Sequence, residues 1–332
     1  MPKKTFYIIL TVLIGLIIIG LLVWYFVLKP QEAITPATGV DFTVPGQIKN
    51  GAKIRVLSKG PVVSARLDDY GVLWYYDYSG QLWQFSGDGT IEYNDSGDPV
   101  AIDQPIADLS EIIWPKVISA DGKKVVYQRN NSLFTSDSSG KNQRTLISDL
   151  KLRDIILKWP TVNNVALISK PSGLAAGGLW FLDTRNSNVR KIIGDFLGLE
   201  VLFSPDGNSF IYSYTNQNGK KPVLAIYDKK GNQKIINGFS TLVDKCAWAK
   251  DTVNIYCAVP KSWPDFAVLP DDYYKNAFLT NDDIWKINIE TGEKTLIFEY
   301  IGSISNLAIS NDESSIFFIS KENQYLYKLN LK

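Results

Sequence analysis

The segment from Val259 to Asp283 concentrates side chains that could bind a partner or a metal ion. It reads VPKSWPDFAVLPDDYYKNAFLTNDD, with aromatic rings beside several aspartates. Aromatic rings anchor protein interfaces, and carboxylates can coordinate Ca²⁺. The segment therefore predicts a binding loop. Its candidate residues are Trp263, Phe266, Asp271, Asp272, Tyr273, Tyr274, Asp282 and Asp283.

Four interpretations of this segment stay open. Its rings could contact a protein, or they could form a platform for a glycan. Its carboxylates could bind Ca²⁺, although no cofactor is otherwise predicted. The aromatic residues could instead only hold the loop against its own part of the fold. A loop of about 25 residues is unusual in a compact domain unless it is functional or disordered.

The two cysteines, Cys246 and Cys257, are the only ones in the chain. They lie at equal distances from a hairpin centre between Asp251 and Thr252, so they are predicted to face each other on paired strands. Opposed positions in a sheet bring β-carbons close to disulfide range. The alternatives are a disulfide, which an oxidising compartment favours, and two buried free thiols.

The composition argues against several kinds of chemistry. The 332 residues include no histidine, which excludes Ser-His-Asp and Cys-His mechanisms and His-ligated metals. The net charge of +1 gives no excess to drive nucleic-acid binding. The glycine-rich stretch 173–179 lies between predicted strands, so it is not a phosphate-binding loop. No catalytic residue or bound cofactor is predicted, and an enzyme is the less favoured class.

Residues 6–28 form an uncharged apolar run that is long enough to span a bilayer as a helix. A cleaved signal peptide is the alternative, but the run is longer than the apolar part of one. Lys3 and Lys4 precede the run, so the positive-inside rule predicts a cytoplasmic stub at residues 1–5. The rest of the chain would lie outside the cytoplasm. Residues 29–52, which are rich in Pro, Thr and Gly, are predicted to be a flexible tether.

Residues 53–332 contain six similar segments. Each has an apolar run, a turn centred on Asp or Asn, a β-rich run, a polar break and an aromatic-apolar run. The turn residues are spaced by 52, 42, 43, 45 and 61 positions, close to the 40–45-residue period of a propeller blade. A β-sandwich and a helical solenoid are the alternatives. The turn residues are Asp69, Asp121, Asn163, Asp206, Asp251 and Asp312.

The ends of the repeat region predict how the ring closes. The sixth copy stops after its third strand, and one spare strand, Lys53–Ser58, precedes the first copy. Pairing the spare strand into the last blade would remove two exposed sheet edges. The expected fold is an all-β, six-bladed propeller closed by its N-terminal strand and preceded by one transmembrane helix.

The turn sequences also carry a family resemblance. FSPDGNSFIY (Phe203–Tyr212) and its weaker relatives ISADGKKVVY and ISNDESSIFF resemble the S-P-D-G repeats of Tol-system and WD-like propellers. The resemblance implies a propeller from about residue 53 to residue 332. That family includes periplasmic scaffolds that bind protein partners and gating domains of serine peptidases.

The longest predicted connections all fall on one rim of such a ring: 94–110, 170–178, 215–222 and 259–283. Loops gathered on one face usually mark the binding face of a repeat fold. We therefore expect a monomeric, single-pass membrane protein whose exported propeller binds a protein or surface polymer. The alternative function is a hydrolase of a polysaccharide or cell-wall polymer that uses paired carboxylates.

Overall fold

The computed structural model describes residues 54–58, 60–67, 72–78, 82–85, 116–152, 154–216, 218–299 and 302–331. Their regular structure is antiparallel sheet, apart from a 3-10 turn at Val243–Lys245 and a four-residue helix, α1, at Asp271–Tyr274. Within these ranges, no helix has the length and apolar character needed to cross a bilayer. The predicted membrane helix, 6–28, and the predicted tether, 29–52, lie outside the described residues.

Twenty-two strands occur in the described part of the chain, and every pairing between them is antiparallel. They are β1 Ile54–Val56, β2 Val62–Leu67, β3 Leu73–Asp77, β4 Leu82–Phe85, β5 Lys116–Ile118, β6 Lys124–Arg129, β7 Ser132–Asp137, β8 Arg144–Ile147, β9 Ile155–Thr161, β10 Asn164–Ser169, β11 Ala176–Asp183, β12 Val189–Phe203, β13 Phe210–Thr215, β14 Val223–Tyr227, β15 Gln233–Ile235, β16 Cys246–Trp248, β17 Asn254–Pro260, β18 Asp282–Asn288, β19 Lys294–Glu299, β20 Ile304–Ile309, β21 Ser315–Ser320 and β22 Leu326–Asn330.

The strands form five sheets: β2–β4, β5–β8, β9–β15, β16–β19, and β20–β22 with β1. Dividing the seven-stranded sheet at β12 gives six groups in chain order, here called groups 1 to 6: β2–β4, β5–β8, β9–β12, β12–β15, β16–β19 and β20–β22. β12 belongs to two groups because its 15 residues pair with β11 near one end and with β13 near the other. β1 joins group 6 by pairing with β22, with Ile54 opposite Leu329. This is the pairing that the spare first strand predicts.

Buried apolar side chains pack neighbouring groups against each other. Separate clusters join groups 2 and 3, 3 and 4, 4 and 5, 5 and 6, and 6 and 1. In the cluster between groups 5 and 6, Ile284, Ile304 and Phe318 are completely buried. A strand between two neighbours is covered on both faces, which favours an unbroken apolar run over alternation. In β21, all six residues are buried.

The turn aspartates shape the hairpins. At Asp121, Asp206 and Asp312, a serine hydroxyl two positions earlier donates to Oδ1 at 2.6 or 2.7 Å. The backbone N–H two positions later donates to the same oxygen at 3.0 or 3.1 Å. The hydrogen bond from Ser119 lowers the pKa of Asp121, and the one from Ser310 lowers the pKa of Asp312. These carboxylates therefore act as local turn formers.

Cys246 on β16 and Cys257 on β17 lie directly opposite each other in the sheet. Their sulfurs form a disulfide, and both residues are buried in the cluster between groups 4 and 5. The bond therefore joins two adjacent strands that the sheet already holds in register.

We expect no free thiol in the intact protein. Unfolding the protein in denaturant with an alkylating reagent should leave its mass unchanged, because both sulfurs are bonded. Reduction before alkylation should add two alkyl groups, one for each cysteine of the chain. Mass spectrometry of the intact chain makes the measurement, and alkyl groups gained without reduction would show that the disulfide is absent.

Candidate functional site

The connection between β17 and β18, residues 261–281, carries six of the eight predicted binding residues and is called here the β17–β18 loop. Asp282 and Asp283 are the first two residues of β18. The loop includes α1, whose last two residues are Tyr273 and Tyr274. The eight candidates are thus together in space as well as in sequence, but they have different roles.

The β17–β18 loop is ordered by a small apolar cluster of its own. Leu269 and Tyr273 are each 1% exposed and pack with Leu242 and Ala267. Trp263 lies edge-on to Tyr273, and its Nε1 donates to the Ser240 carbonyl at 2.9 Å. These contacts fix the backbone of the loop, as expected if the aromatic residues hold it in place.

The loop also docks on two neighbouring loops, in groups 3 and 4. The Asp271 carboxylate accepts hydrogen bonds from Ser172 Oγ at 3.0 Å and from the Gly173 N–H at 2.6 Å. The Leu269 N–H donates to the Gly219 carbonyl at 2.8 Å. A β-carbon at Gly173 would lie 2.3 Å from the Leu269 carbonyl oxygen, so the close approach requires glycine. The glycine-rich stretch is therefore a docking surface for the long loop.

A buried ion pair lies beneath this loop. Lys245 ends the 3-10 turn that leads into β16, and its Nζ is 2.5 Å from Asp282 Oδ2. Both side chains are completely buried. The ammonium also donates to the Ile304 carbonyl at 2.6 Å, and the Ile304 N–H donates to Asp282 Oδ2 at 2.7 Å. Asp282 Oδ1 is buried without a hydrogen-bond partner among the described residues.

The two tyrosines of α1 connect the loop to further charged groups. The Tyr273 hydroxyl donates to Asp244 Oδ2 at 2.6 Å. Lys321 Nζ lies 3.4 Å from the centroid of the Tyr273 ring and donates to the Tyr273 carbonyl at 2.6 Å. Tyr274 is half-exposed as a residue, but its hydroxyl donates to Glu200, which is buried on β12. Three strand groups therefore meet at α1.

Burial is the main cause of the pKa shifts of Glu200 and Lys321 in this cluster. It raises the pKa of Glu200 to about 8, a shift that the nearby Asp244 charge increases and the Tyr274 hydrogen bond opposes. Burial lowers the pKa of Lys321 to about 8, and the charge of Lys245 adds to this effect. At neutral pH, Glu200 is mainly protonated and Lys321 is mainly charged. Perturbed groups of this kind concentrate at functional sites.

A cavity of about 150 Å³ opens beside α1. Asp244, Lys321, Tyr273 and Tyr274 all contribute to its walls, and so do residues from groups 1 and 6. The cavity therefore lies where the β17–β18 loop, the start of β2 and the start of β20 come together. This is the candidate functional site of the described region.

The predicted binding residues divide into exposed and structural ones. Phe266 is 69% exposed and Tyr274 is 50% exposed. Asp272 accepts the Val268 N–H at 2.8 Å, and Asp283 pairs with Lys261 at 3.3 Å. The remaining four residues hold the loop or lie beneath it: Trp263, Asp271, Tyr273 and Asp282.

No group of three or more Cys, His, Asp or Glu side chains in the described ranges is arranged to hold a metal ion. In the β17–β18 loop, Asp271 and Asp272 bond to different parts of the backbone rather than facing a common centre. The Ca²⁺ interpretation therefore gains no support from this part of the chain.

Sequence reasoning missed Asp244, Lys245, Glu200 and Lys321. One signal was available for Glu200, because it is a single acid inside the apolar strand sequence FLGLEVLF. A lone carboxylate on a buried strand needs a partner or a proton. Nothing local marks Lys321, which follows β21 like any turn lysine.

No protein-family model matches the chain, and neither does any curated protein sequence. Solved structures do match it. An oligogalacturonate lyase in complex with manganese is 13% identical, with a TM-score of 0.50 over 83% of this chain and 79% of that one. A β-propeller domain from Myceliophteria thermophila is 8% identical, with a TM-score of 0.48 over 85% of this chain and 100% of that one.

TolB from Acinetobacter baumannii is 13% identical, with a TM-score of 0.40. The match covers 82% of this chain and 64% of the TolB chain. At such identities the likeness concerns the fold alone. The described residues form an all-β, propeller-like fold, in agreement with the fold class that the repeats predict.

Replacing Lys245 should show how much an unpaired buried charge destabilises the fold. We expect Lys245→Met to lower the free energy of unfolding by about 3–5 kcal/mol, because Asp282 loses its counter-ion. Lys245→Met with Asp282→Asn should lose less, since no charge is left unpaired. Lys191→Met, which breaks a solvent-exposed pair with Asp195, should stay within about 1 kcal/mol. Chemical denaturation measures all three, and a double variant less stable than Lys245→Met would contradict the expectation.

Glu200 should make the fold less stable as the pH rises. Unfolded Glu200 loses its proton near its ordinary pKa of 4.5, whereas folded Glu200 keeps it to about pH 8. Between these values the folded state binds more protons, so the free energy of unfolding falls by up to about 1.4 kcal/mol per pH unit. Lys321 acts in the opposite sense, but only above about pH 8.

The measurement is denaturant unfolding from pH 5 to pH 8. Glu200→Gln keeps an acceptor for Tyr274 but cannot titrate, so it should remove this part of the pH dependence. Glu290→Gln, at an exposed turn position, should leave the dependence as it is. An unchanged slope in Glu200→Gln would show that Glu200 does not retain its proton in the folded protein.

Proposed function

We propose that the chain is a membrane-anchored, extracytoplasmic, six-bladed β-propeller that binds a protein or polymer partner through its long-loop face. The six strand groups and the pairing of β1 with β22 support the ring. Five apolar clusters pack successive groups together, and contact between groups 1 and 2 would complete it. The ring is proposed to act as a monomer.

The proposed location rests on the sequence of the N-terminal region. The uncharged run at 6–28 has the length of a membrane helix, and the preceding lysines favour a cytoplasmic N-terminus. A disulfide between Cys246 and Cys257 is what an oxidising compartment outside the cytoplasm allows. The tether at 29–52 would separate the ring from the bilayer.

The observation that carries the binding function is the rigid display of apolar side chains on the β17–β18 loop. Phe266, Tyr274 and Leu279 are each at least half-exposed, although the backbone that holds them is fixed by buried contacts. Leu174, on the loop that Asp271 holds, is 77% exposed. Side chains on a pre-organised backbone lose little entropy on binding, and exposed apolar groups of this kind mark interaction surfaces.

The alternative, a carboxylate-dependent hydrolase, needs two carboxylates that flank the bond to be cleaved. Among the described residues that line the cavity, Asp244 is the single carboxylate, and it accepts the Tyr273 hydroxyl. No specific observation favours the hydrolase, so binding is the function that we propose.

Crosslinking in cells tests which face meets the partner. We expect a photo-reactive amino acid at Phe266 in the full chain to give crosslinked adducts if the partner is a protein. The same group at Val162, which is 87% exposed in the tight turn between β9 and β10, should give few. For a polymer partner, Phe266→Ser with Leu279→Ser should reduce co-sedimentation with isolated envelope polymers about tenfold. Equal adducts at both positions, with unchanged sedimentation, would contradict the long-loop face.

The proposed topology predicts access from outside the cell. A tag fused after Lys332 in the full chain should be removed by protease added to intact cells, because the propeller would lie outside the membrane. A tag before Met1 should survive until the cells are lysed. Protection of the C-terminal tag in intact cells would contradict the extracytoplasmic location.

A further inference from the structure

Three side-chain amides of cavity-lining residues make no hydrogen bond within the described part of the chain. They belong to Asn276, Asn306 and Gln324, which line the cavity from the β17–β18 loop, β20 and the β21–β22 connection. All three residues have left-handed backbone conformations, with φ values of 53°, 51° and 63°. Non-glycine residues adopt this conformation uncommonly, although asparagine is several-fold enriched there, and strained backbone conformations cluster at ligand sites.

The position of Asn306 in β20 also favours a ligand site at the cavity. β20 pairs with β21 up to Ser305, and the register shifts before it resumes at Ala308. A bulge of this kind bends a strand and re-aims a side chain, and bulges are frequent beside functional sites. Asn306 lies within this irregularity and lines the cavity.

The other walls of the cavity combine rings with balanced charge. Tyr78 and Tyr274 also line the cavity, and the two residues are 62% and 50% exposed. Among the described lining residues, Asp244 and Lys321 supply one charge of each sign, so the lining has no net charge. With one charge of each sign, the lining favours neither an anionic nor a cationic ligand. A purely apolar ligand would bury the amides without partners, which is costly.

Each amide offers both donors and an acceptor, which matches a ligand whose own polar groups do both. Hydroxyl groups have this property, and the apolar C–H face of a sugar ring can pack on a tyrosine ring. We infer that the cavity binds a neutral polyhydroxylated ring, namely one sugar unit of a glycan. This inference rests on the proposed function, because it makes a glycan the polymer that the long-loop face recognises.

The test uses the full chain in a detergent without a sugar headgroup. Saturation-transfer NMR measures binding of three neutral probes, cellotetraose, maltotetraose and tetra-N-acetylchitotetraose, with trigalacturonate as the anionic comparison. We expect at least one neutral probe to bind more tightly than trigalacturonate. Asn306→Asp and Gln324→Glu should each weaken that binding about tenfold, because each replaces a donor with an acceptor and adds a charge.

Asn130→Asp is the matched control, since Asn130 also has positive φ, at 54°, but lies outside the cavity. It should leave the affinity within about twofold. Circular dichroism shows whether each variant is folded before its binding is interpreted. Gln324→Asn, which keeps an amide with a shorter side chain, should retain more binding than Gln324→Glu.

Three results would overturn the inference: no binding of any neutral probe, tighter binding of trigalacturonate, or unchanged binding in both cavity variants. If these occur while position 266 still gives specific protein adducts, the proposed function stands without the sugar site. If sugar binding and both partner assays fail together, the proposed function falls as well.

Discussion

The buried ammonium of Lys245 is the constraint on which the site depends. Two charges without water are stable only where the geometry is good and the remaining hydrogen bonds are made. Here the Lys245 ammonium donates to Asp282 and to the Ile304 carbonyl, and the Ile304 N–H donates to Asp282 Oδ2. The pair therefore joins the approach to β16, the start of β18 and the start of β20. Tyr273 lies above it, with its ring centroid 5.2 Å from the Lys245 nitrogen.

The buried ion pair and the contacts around it explain how the β17–β18 loop can be both ordered and available for binding. Trp263 and Tyr273 pack the β17–β18 loop onto a small buried cluster, and Asp271 fixes it to the neighbouring loop by accepting a hydrogen bond from the Gly173 N–H. The side chains that these contacts do not need, such as Phe266, are left exposed on a fixed backbone. Different residues of one loop therefore carry the structural role and the proposed binding role.

Much of the strand arrangement could be predicted from sequence, because strands and tight turns are local. The Ser-x-Asp turns at Asp121 and Asp312 form from bonds within five residues. The facing positions of Cys246 and Cys257 followed from counting along one hairpin. The predicted loop was also found between two strands, but Asp282, expected on a binding surface, is completely buried. Spacing along the chain could not distinguish an exposed aspartate from one that meets a lysine.

The sequence by itself determined the repeating strands, their turn chemistry, the apolar N-terminal run and the location of the long loop. The tertiary structure alone decided which buried polar groups meet: Glu200 with Tyr274, and Lys245 with Asp282. It also brought Asn276, Asn306 and Gln324 around one cavity. The physical reason is the distance along the chain between the residues that interact. Hydrogen bonds within a turn depend on neighbouring residues, whereas the burial of side chains and their pairing across strand groups arise only once those groups have packed.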